Sequence, residues 1–522
     1  MLSQLFATLE KGKLMIRTQT HSILISKGTI YWSRDGEEAD ELALNQLKDM
    51  ILTGERIIFW DTKDVFNYLT RNKIALPSNF SCVSTMAYLL DEYEPDLDEW
   101  IKYYYEESAP DVWHQVCYLW HLGRDLLSEI EQEGLLEAYK IDLKLASIIS
   151  GMETQGIRVD KKGLEIELSV VKTKLNSLQV KIHEALGSNV NANSPLQLLN
   201  SLREDLALPI KSTQEQELRK YKENHEIIPT ILEYRKLSKL YSTFLFGMYQ
   251  DLKQGRVRTI IGAVNTVTGR LTSSERNLQA VPSSAKRFFI PDAGKVFIYA
   301  DYSQLELNLL ANLSQDSNMI KAVNNGEDLH KSIASAIFGT PVSQVTDNER
   351  SIGKQINYSI IYGSSPRTVA DALKTTYQQA RKFMSIYDEK FPEVNKIREE
   401  AHKAVLFDGF VTEPLGGRKR RFSSEEIAED PNRVKRQAWN FLLQGQAASL
   451  LRRVMVNLIE KIPCLEINLQ VHDSLLMSYP VNQDNEAVRV AIKEIMEKSV
   501  PLAVKLPVEM GVGNTWEEAC KH

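Results

Sequence analysis

Short alternating runs of apolar and polar residues open the chain, and helical spacing of apolar positions takes over for most of its length. Lys13-Leu-Met-Ile-Arg17, Ser22-Ile-Leu-Ile25 and Thr29-Ile-Tyr-Trp32 predict short strands separated by turn residues. Asp40 to Leu52 carries its apolar residues at helical spacing. Ile57-Ile-Phe-Trp60 follows as a further strand, with the next helix starting near Asp61 or Thr62. Strands alternating with helices to about residue 125 predict a small α/β domain.

The pattern turns helical from Ile141 to about Leu252, with long amphipathic stretches at Leu164–Leu186 and Ile227–Leu252. Ser194-Pro195 between them reads as an N-cap followed by Pro at the first helical position, so this region predicts a helical arm. Strand character returns at Arg256–Asn265 and Lys295–Asp301. Helices fill Leu305 to about Phe407, followed by the turn-rich basic loop Pro414–Arg421 and a long helix from about Asn432 to Lys461. Finally Leu465–Val471 and Ser474–Tyr479 predict a strand pair flanking His472-Asp473. The expected class is α+β, with one sheet assembled from distant segments.

The 522 residues suggest three or four domains, and 43% hydrophobic with 25% charged residues is ordinary for a soluble globular protein. Cys82, Cys117, Cys464 and Cys520 lie far apart without CxxC spacing, which excludes a disulfide framework or zinc ribbon and suits a reducing compartment. No apolar run reaches a membrane span and no signal pattern opens the chain. The expectation is a cytoplasmic protein without a membrane partner. The net charge of −6 hides an asymmetry: residues 1–150 carry 14 Lys and Arg against 25 Asp and Glu, a balance of −11. The rest carries +5, which leaves a polyanion partner open for the body.

Two strands end in carboxylates. Val296-Phe-Ile-Tyr-Ala-Asp301 runs into Asp301, with Glu306 five residues on, and Ile467-Asn-Leu-Gln-Val471 delivers Asp473. A buried strand ending in Asp is costly unless the charge is paired or metal-bound, and two such carboxylates on neighbouring strands suit hard divalent cations that clamp a phosphoryl transfer. Arg350, Lys354, Tyr358 and Tyr362 recur every four residues along one helix face. Two cations then two rings suit a triphosphate and a base or sugar. Taken singly, each aspartate also reads as a turn former, and the ladder as a solvated basic stripe with two core tyrosines.

With their flanks and order, these pieces resemble the motifs of family A DNA polymerases of the polymerase I large-fragment type, over roughly residues 135–522. The first motif is Asp301-Tyr-Ser-Gln-Leu-Glu306, the second Arg350 through Gly363, and the third Gln470-Val-His-Asp473. Thr268-Gly-Arg270 through Asn277-Leu-Gln279 resembles the template–primer segment, and Arg436, Asn440 and Gln444-Gly445 match another. The resemblance implies a right-hand fold: thumb 160–254, palm 255–315 and 456–522, fingers 316–455. A degenerate 3′–5′ exonuclease-like, ribonuclease H-like domain at 1–135 joins it through 136–159.

The resemblance also implies the site. Asp301, Asp473 and the Tyr302 carbonyl would hold two Mg²⁺, with Mn²⁺ as a substitute. His330, Arg350 and Lys354 would hold the triphosphate, Lys354 also protonating the leaving group. Gln304, Glu306, Tyr358 and Tyr362 would complete the nucleotide pocket, Glu306 excluding a ribose 2′-hydroxyl. Arg270, Asn277, Gln279, Arg436, Asn440, Gln444, Gln470 and His472 would grip the duplex. The basic run Arg418-Lys-Arg-Arg421 is expected to touch nucleic acid. The implied partners are primer–template DNA and dNTPs, acting on a monomer in a bacterial nucleoid or phage-infected cell, with organellar origin left open.

Departures from the family pattern shape further expectations. Tyr358 stands where most bacterial members carry Phe, which predicts tolerance of dideoxynucleotides. Asn308, Asn312, Ser474, Gly353 and Ser359 replace the usual Arg, His, Glu, Ala and Gly. In the N-terminal module the first predicted strand, Lys13–Thr20, has no acid, Val65 falls where an exonuclease Asp is usual, and Tyr118–Asp125 lacks the late motif. Asp35-Gly-Glu37 reads as a surface turn, with Asp64 the one displaced alternative. Loss of proofreading is therefore expected; 5′-nuclease activity is expected to be lacking as well, which fits a cut piece and a naturally short gene equally.

Overall fold

The computed structural model describes residues 20–521 except 27–28, 35–37, 42–43, 92–95 and 188–189. The expected strand over Lys13–Arg17 and the Asp35-Gly-Glu37 turn lie outside the described residues. β1 (Thr20–Ser26), β2 (Thr29–Arg34), β3 (Glu38–Glu41), β4 (Arg56–Phe59) and β5 (Phe80–Cys82) form one sheet in the order β3-β2-β1-β4-β5. β1, β4 and β5 run parallel. This explains why Ile57, Ile58 and Phe59 are consecutively apolar: an interior parallel strand is covered on both faces, and these residues feed two separate cores. The covering helices are α1 (Leu44–Thr53), α2 (Thr62–Arg71), α3 (Val83–Asp91), α4 (Leu97–Tyr105) and α5 (Val112–Gln132). Asp40, expected in a helix, instead lies in β3, and α1 begins at Leu44.

α6 (Leu136–Gln155) ties this module to the body. Its Glu153 accepts Asn67 Nδ2 at 2.7 Å and pairs with Lys63 at 3.0 Å, while the same carboxylate accepts the Ile261 amide at 2.6 Å. Beyond it, α7 (Lys161–Leu186) and α8 (Ile227–Lys239) form the expected arm, whose end has its own core of Ile182, Leu198, Leu202, Ile228 and Ile231. Ser194 caps the helix that opens with Pro195, as its sequence predicts. The stretch read as one helix to Leu252 instead widens into π-helical turns over Leu240–Phe246. The Arg276 guanidinium donates to the Thr243 carbonyl at 2.7 Å and also bonds Asp251, competing with regular backbone pairing.

The body is built on a four-stranded sheet. β6 (Lys295–Tyr302) lies between β8 (Ser474–Pro480) and β9 (Val508–Gly513), with β7 (Glu466–Val471) outside β8; all three pairings are antiparallel. Ile298, Ala300 and Tyr302 point into the large core, and Phe297 and Tyr299 into a second core on the opposite face. The large core also receives α9 (Leu305–Ser314), α10 (Leu329–Phe338), α11 (Asp347–Ile361) and α12 (Pro431–Lys461). The expected strand over Arg256–Asn265 is two short ones, Arg256–Val257 and Ile260–Gly262, pairing with different partners. Among the described residues no helix is long and apolar enough to cross a membrane.

Candidate active site

The register of β6 against β8 sets Asp301 opposite Ser474, at the end of the sheet where the two-residue turn His472-Asp473 joins β7 to β8. The Tyr302 amide donates to the Asp473 carbonyl at 3.3 Å, so the two strand ends are fastened together. Asp301 and Asp473 line one cleft of about 480 Å³ with Gln304, Glu306, Tyr358 and His472. Burial pushes the Asp473 carboxyl up to about 6, and Glu306 and Asp301 add to the rise against the opposing Arg270. His472 and Gln304 both adopt left-handed backbone (φ 51° and 53°), unusual without glycine, on either side of the carboxylates.

Glu306 is buried and doubly held: Arg270 Nη2 donates to it at 2.6 Å and the Tyr362 hydroxyl at 3.3 Å. Arg270, expected on the duplex, is thus engaged by an acid expected in the nucleotide pocket. Tyr358 on α11 and Tyr362 at its C-terminal end stack their rings 6.2 Å apart at 14°, and Lys354 Nζ lies 5.8 Å over the Tyr358 ring. Arg350 bonds Asp328 at 2.6 Å, the residue that caps α10. His330 is 3% exposed, and burial pulls its imidazole down to about 4. Asn357 Nδ2 faces its Nδ1 at 3.0 Å, which places the proton on Nε2. At neutral pH this histidine is a neutral donor behind the ladder, where the sequence placed it with the cations.

Several residues expected on the duplex make hydrogen bonds within the protein. Gln279 Nε2 donates to both the carbonyl and side-chain oxygen of buried Gln470 at 3.1 Å. With its amide turned to donate, Asn440 reaches the Ile361 and Tyr362 carbonyls at 3.1 and 3.3 Å, holding the end of α11. Asn277 caps a short helical turn through the Gln279 amide. Arg436 and His472 are exposed, and Gln444 is half-buried. Within the basic run, Arg418 is turned into the interior. Arg418 is buried and its Nη2 donates to both Asp142 carboxylate oxygens at 2.8 Å, and Lys419 and Arg421 pair with Glu133. These charges join domains.

The substituted positions have physical roles. Ser474 is 1% exposed; its hydroxyl donates to the Val471 carbonyl at 2.7 Å and accepts from Tyr299 at 2.7 Å, bracing the turn that carries Asp473. Asn308 donates to the Ser303 carbonyl at 2.9 Å, and Asn312 accepts the Ala503 amide at 2.9 Å. Gly353 sits where α11 crosses α10, and a Cβ there would lie 2.2 Å from the His330 carbonyl oxygen. Gly353→Ala is accordingly expected to cost about 1–3 kcal/mol, read from the urea midpoint. Nothing in the structure explains Ser359. Lys286, which no spacing signalled, lines the cleft with its ammonium 5.6 Å over Tyr299 and 4.9 Å over Trp516.

A profile of DNA polymerase family A matches residues 162–518. The chain belongs to DNA polymerase family A. It is 32% identical over 490 residues to DNA polymerase I of Caldicellulosiruptor bescii, covering 88% of this chain and 57% of that protein. With the thermostable DNA polymerase I of Thermus thermophilus it shares 33% over 457 residues, 83% of this chain and 55% of the other. The chain thus spans about half the length of the curated relatives it matches. Its fold is that of a family A polymerase domain: the POL domain of Pol1 from M. smegmatis, solved in complex with DNA primer-template and dNTP, superposes with a TM-score of 0.86 over 96% of each chain at 24% identity.

The N-terminal residues singled out by sequence have structural partners where they are described. Val65 is a 3% exposed core residue. The Asp61 carboxylate caps α2 through the Lys63 amide at 2.8 Å. Over Tyr118–Asp125, Tyr118 donates to Glu107 and Asp125 accepts from Tyr105 at 3.0 Å.

Proposed function

We propose that this family A chain is a template-directed DNA polymerase, adding deoxynucleoside monophosphates to a primer 3′-hydroxyl. The observation that carries the reading is that Asp301 and Asp473 line one cleft at the same end of the sheet, together with Tyr358 and Glu306. The residues fit a divalent cation: burial and neighbouring acids disfavour the Asp473 charge, which a cation would relieve. The buried Gln304 Oε1 lacks a hydrogen-bond partner in the same wall. Asp301, Asp473 and the Tyr302 carbonyl would hold two Mg²⁺, which when bound make the primer hydroxyl a better nucleophile and neutralise charge on the leaving pyrophosphate.

Arg350 and Lys354 hold the phosphates electrostatically, and His330 contributes a neutral N–H. Glu306, fixed by Arg270 and Tyr362, closes the space a 2′-hydroxyl would need. Residues 160–254 act as thumb, 255–315 and 456–522 as palm, 316–455 as fingers, and the N-terminal module as scaffold without 3′–5′ exonuclease activity. With Mg²⁺ and a labelled primer–template, extension dictated by the template is expected, and a mismatched 3′ end stays unshortened. Absence of extension overturns the polymerase reading; shortening of the mismatched primer overturns the loss of proofreading.

The Tyr358 hydroxyl beside the sugar replaces the polar contact a dideoxynucleotide lacks. Tyr358→Phe is expected to raise discrimination against chain terminators by about tenfold, the value of one hydrogen bond of roughly 1.4 kcal/mol. A competition assay between dNTP and ddNTP measures it, and equal discrimination in both enzymes contradicts it.

A further inference from the structure

The N-terminal module carries a surface that the polymerase reaction leaves unused. Residues 96–132 contain nine Asp and Glu against Lys102 and Arg124, a balance of −7 that accounts for most of the acidity of the module. On α4 and α5, aromatic rings form an unbroken chain of contacts. Tyr103 meets Trp100 at 6.2 Å and Tyr104 at 5.4 Å, Trp100 stacks on Tyr104 at 5.7 Å, Tyr104 meets Tyr105 at 6.3 Å, and Tyr105 stacks on Tyr118 at 5.3 Å. Tyr103 is 79% exposed. The hydroxyls of Tyr104, Tyr105 and Tyr118 each donate to a carboxylate, Glu129, Asp125 and Glu107, so acids are fixed along the edge of the rings.

We propose that this face docks a lysine- and arginine-rich segment of a protein partner. Aromatic faces attract cations, and carboxylates beside them complete the charge and hydrogen-bond match for guanidinium and ammonium groups. The module shows the chemistry within itself: Arg124 lies 5.6 Å over the Trp120 ring while its Nε donates to Asp125 at 2.9 Å. A nucleic acid would meet repulsion across the same surface. The surface therefore adds a protein contact to a module lying apart from the cleft.

The test uses the full chain and a fluorescent peptide alternating lysine, arginine and glycine, with an acetyl-lysine, citrulline and glycine peptide as the neutral control. Expected is salt-sensitive binding of the basic peptide alone, weakened about fivefold by Tyr103→Ala and about tenfold by Glu106→Gln with Glu107→Gln. Primer extension by these variants stays at the wild-type level, and their circular dichroism is unchanged. Equal binding of both peptides overturns the proposal, as does binding that neither variant weakens, which would locate the peptide elsewhere, such as the Asp301–Asp473 cleft. Concentration-dependent dimerisation abolished by Tyr103→Ala, without peptide binding, would assign the face to a second copy of the chain and likewise overturn it.

Discussion

Asp473→Ala is expected to lower the rate of primer extension at least about a thousandfold while leaving primer–template affinity within about threefold. A bound cation supplies several kcal/mol of charge stabilisation in phosphoryl transfer, and about 4 kcal/mol corresponds to three orders of magnitude in rate. Single-turnover extension measures the rate and fluorescence anisotropy the affinity. The same substitution should leave the unfolding midpoint unchanged or raise it. Burial, Glu306 and Asp301 all disfavour the Asp473 charge, so its removal relieves a local cost of the folded state. A variant that is inactive yet at least as stable separates loss of chemistry from loss of fold. Extension retained within about tenfold would remove Asp473 from the chemistry.

The second large effect concerns stability. Asp142→Ala is expected to destabilise the protein by about 3–5 kcal/mol, measured by urea unfolding. Both Asp142 carboxylate oxygens accept from Arg418 Nη2 at 2.8 Å and Oδ1 also accepts from Arg452 Nη1 at 2.7 Å, all three side chains being at least nine-tenths buried. Burial alone would raise the Asp142 pKa, but the two guanidiniums outweigh it and hold the carboxyl below its ordinary value. Removing the acid strands two positive charges in the interior. Asp142→Asn should cost nearly as much, because a neutral amide cannot compensate two guanidiniums. The triad joins α6, the basic hairpin and α12, so its loss is also expected to expose the junction between the N-terminal module and the body to proteolysis.

Much of the site was legible locally. An apolar run ending in Asp301, a second ending at Asp473, and four-residue spacing from Arg350 to Tyr362 each reflect a short-range rule: side-chain period, burial and the cost of an unpaired charge. The Ser194-Pro195 helix start was legible for the same reason, and the long helix through Lys461 followed from its periodicity. Partner choice was not. Arg418 meets Asp142 across 276 residues and Arg452 meets it across 310, so no spacing distinguishes these buried cations from the solvated or DNA-facing run they resemble in the chain. The glutamine pair 279 and 470 and the Asn440 amide likewise turned inward, satisfying buried backbone and side-chain groups that a linear reading cannot count. Gly353 is required only because a second helix passes within contact distance. The sequence by itself determined which residues could bear charge, stack or end a strand, because those are properties of residue type and period. The tertiary structure alone decided which of those charges face the cleft and which neutralise one another inside it, because that depends on chain segments meeting across hundreds of residues.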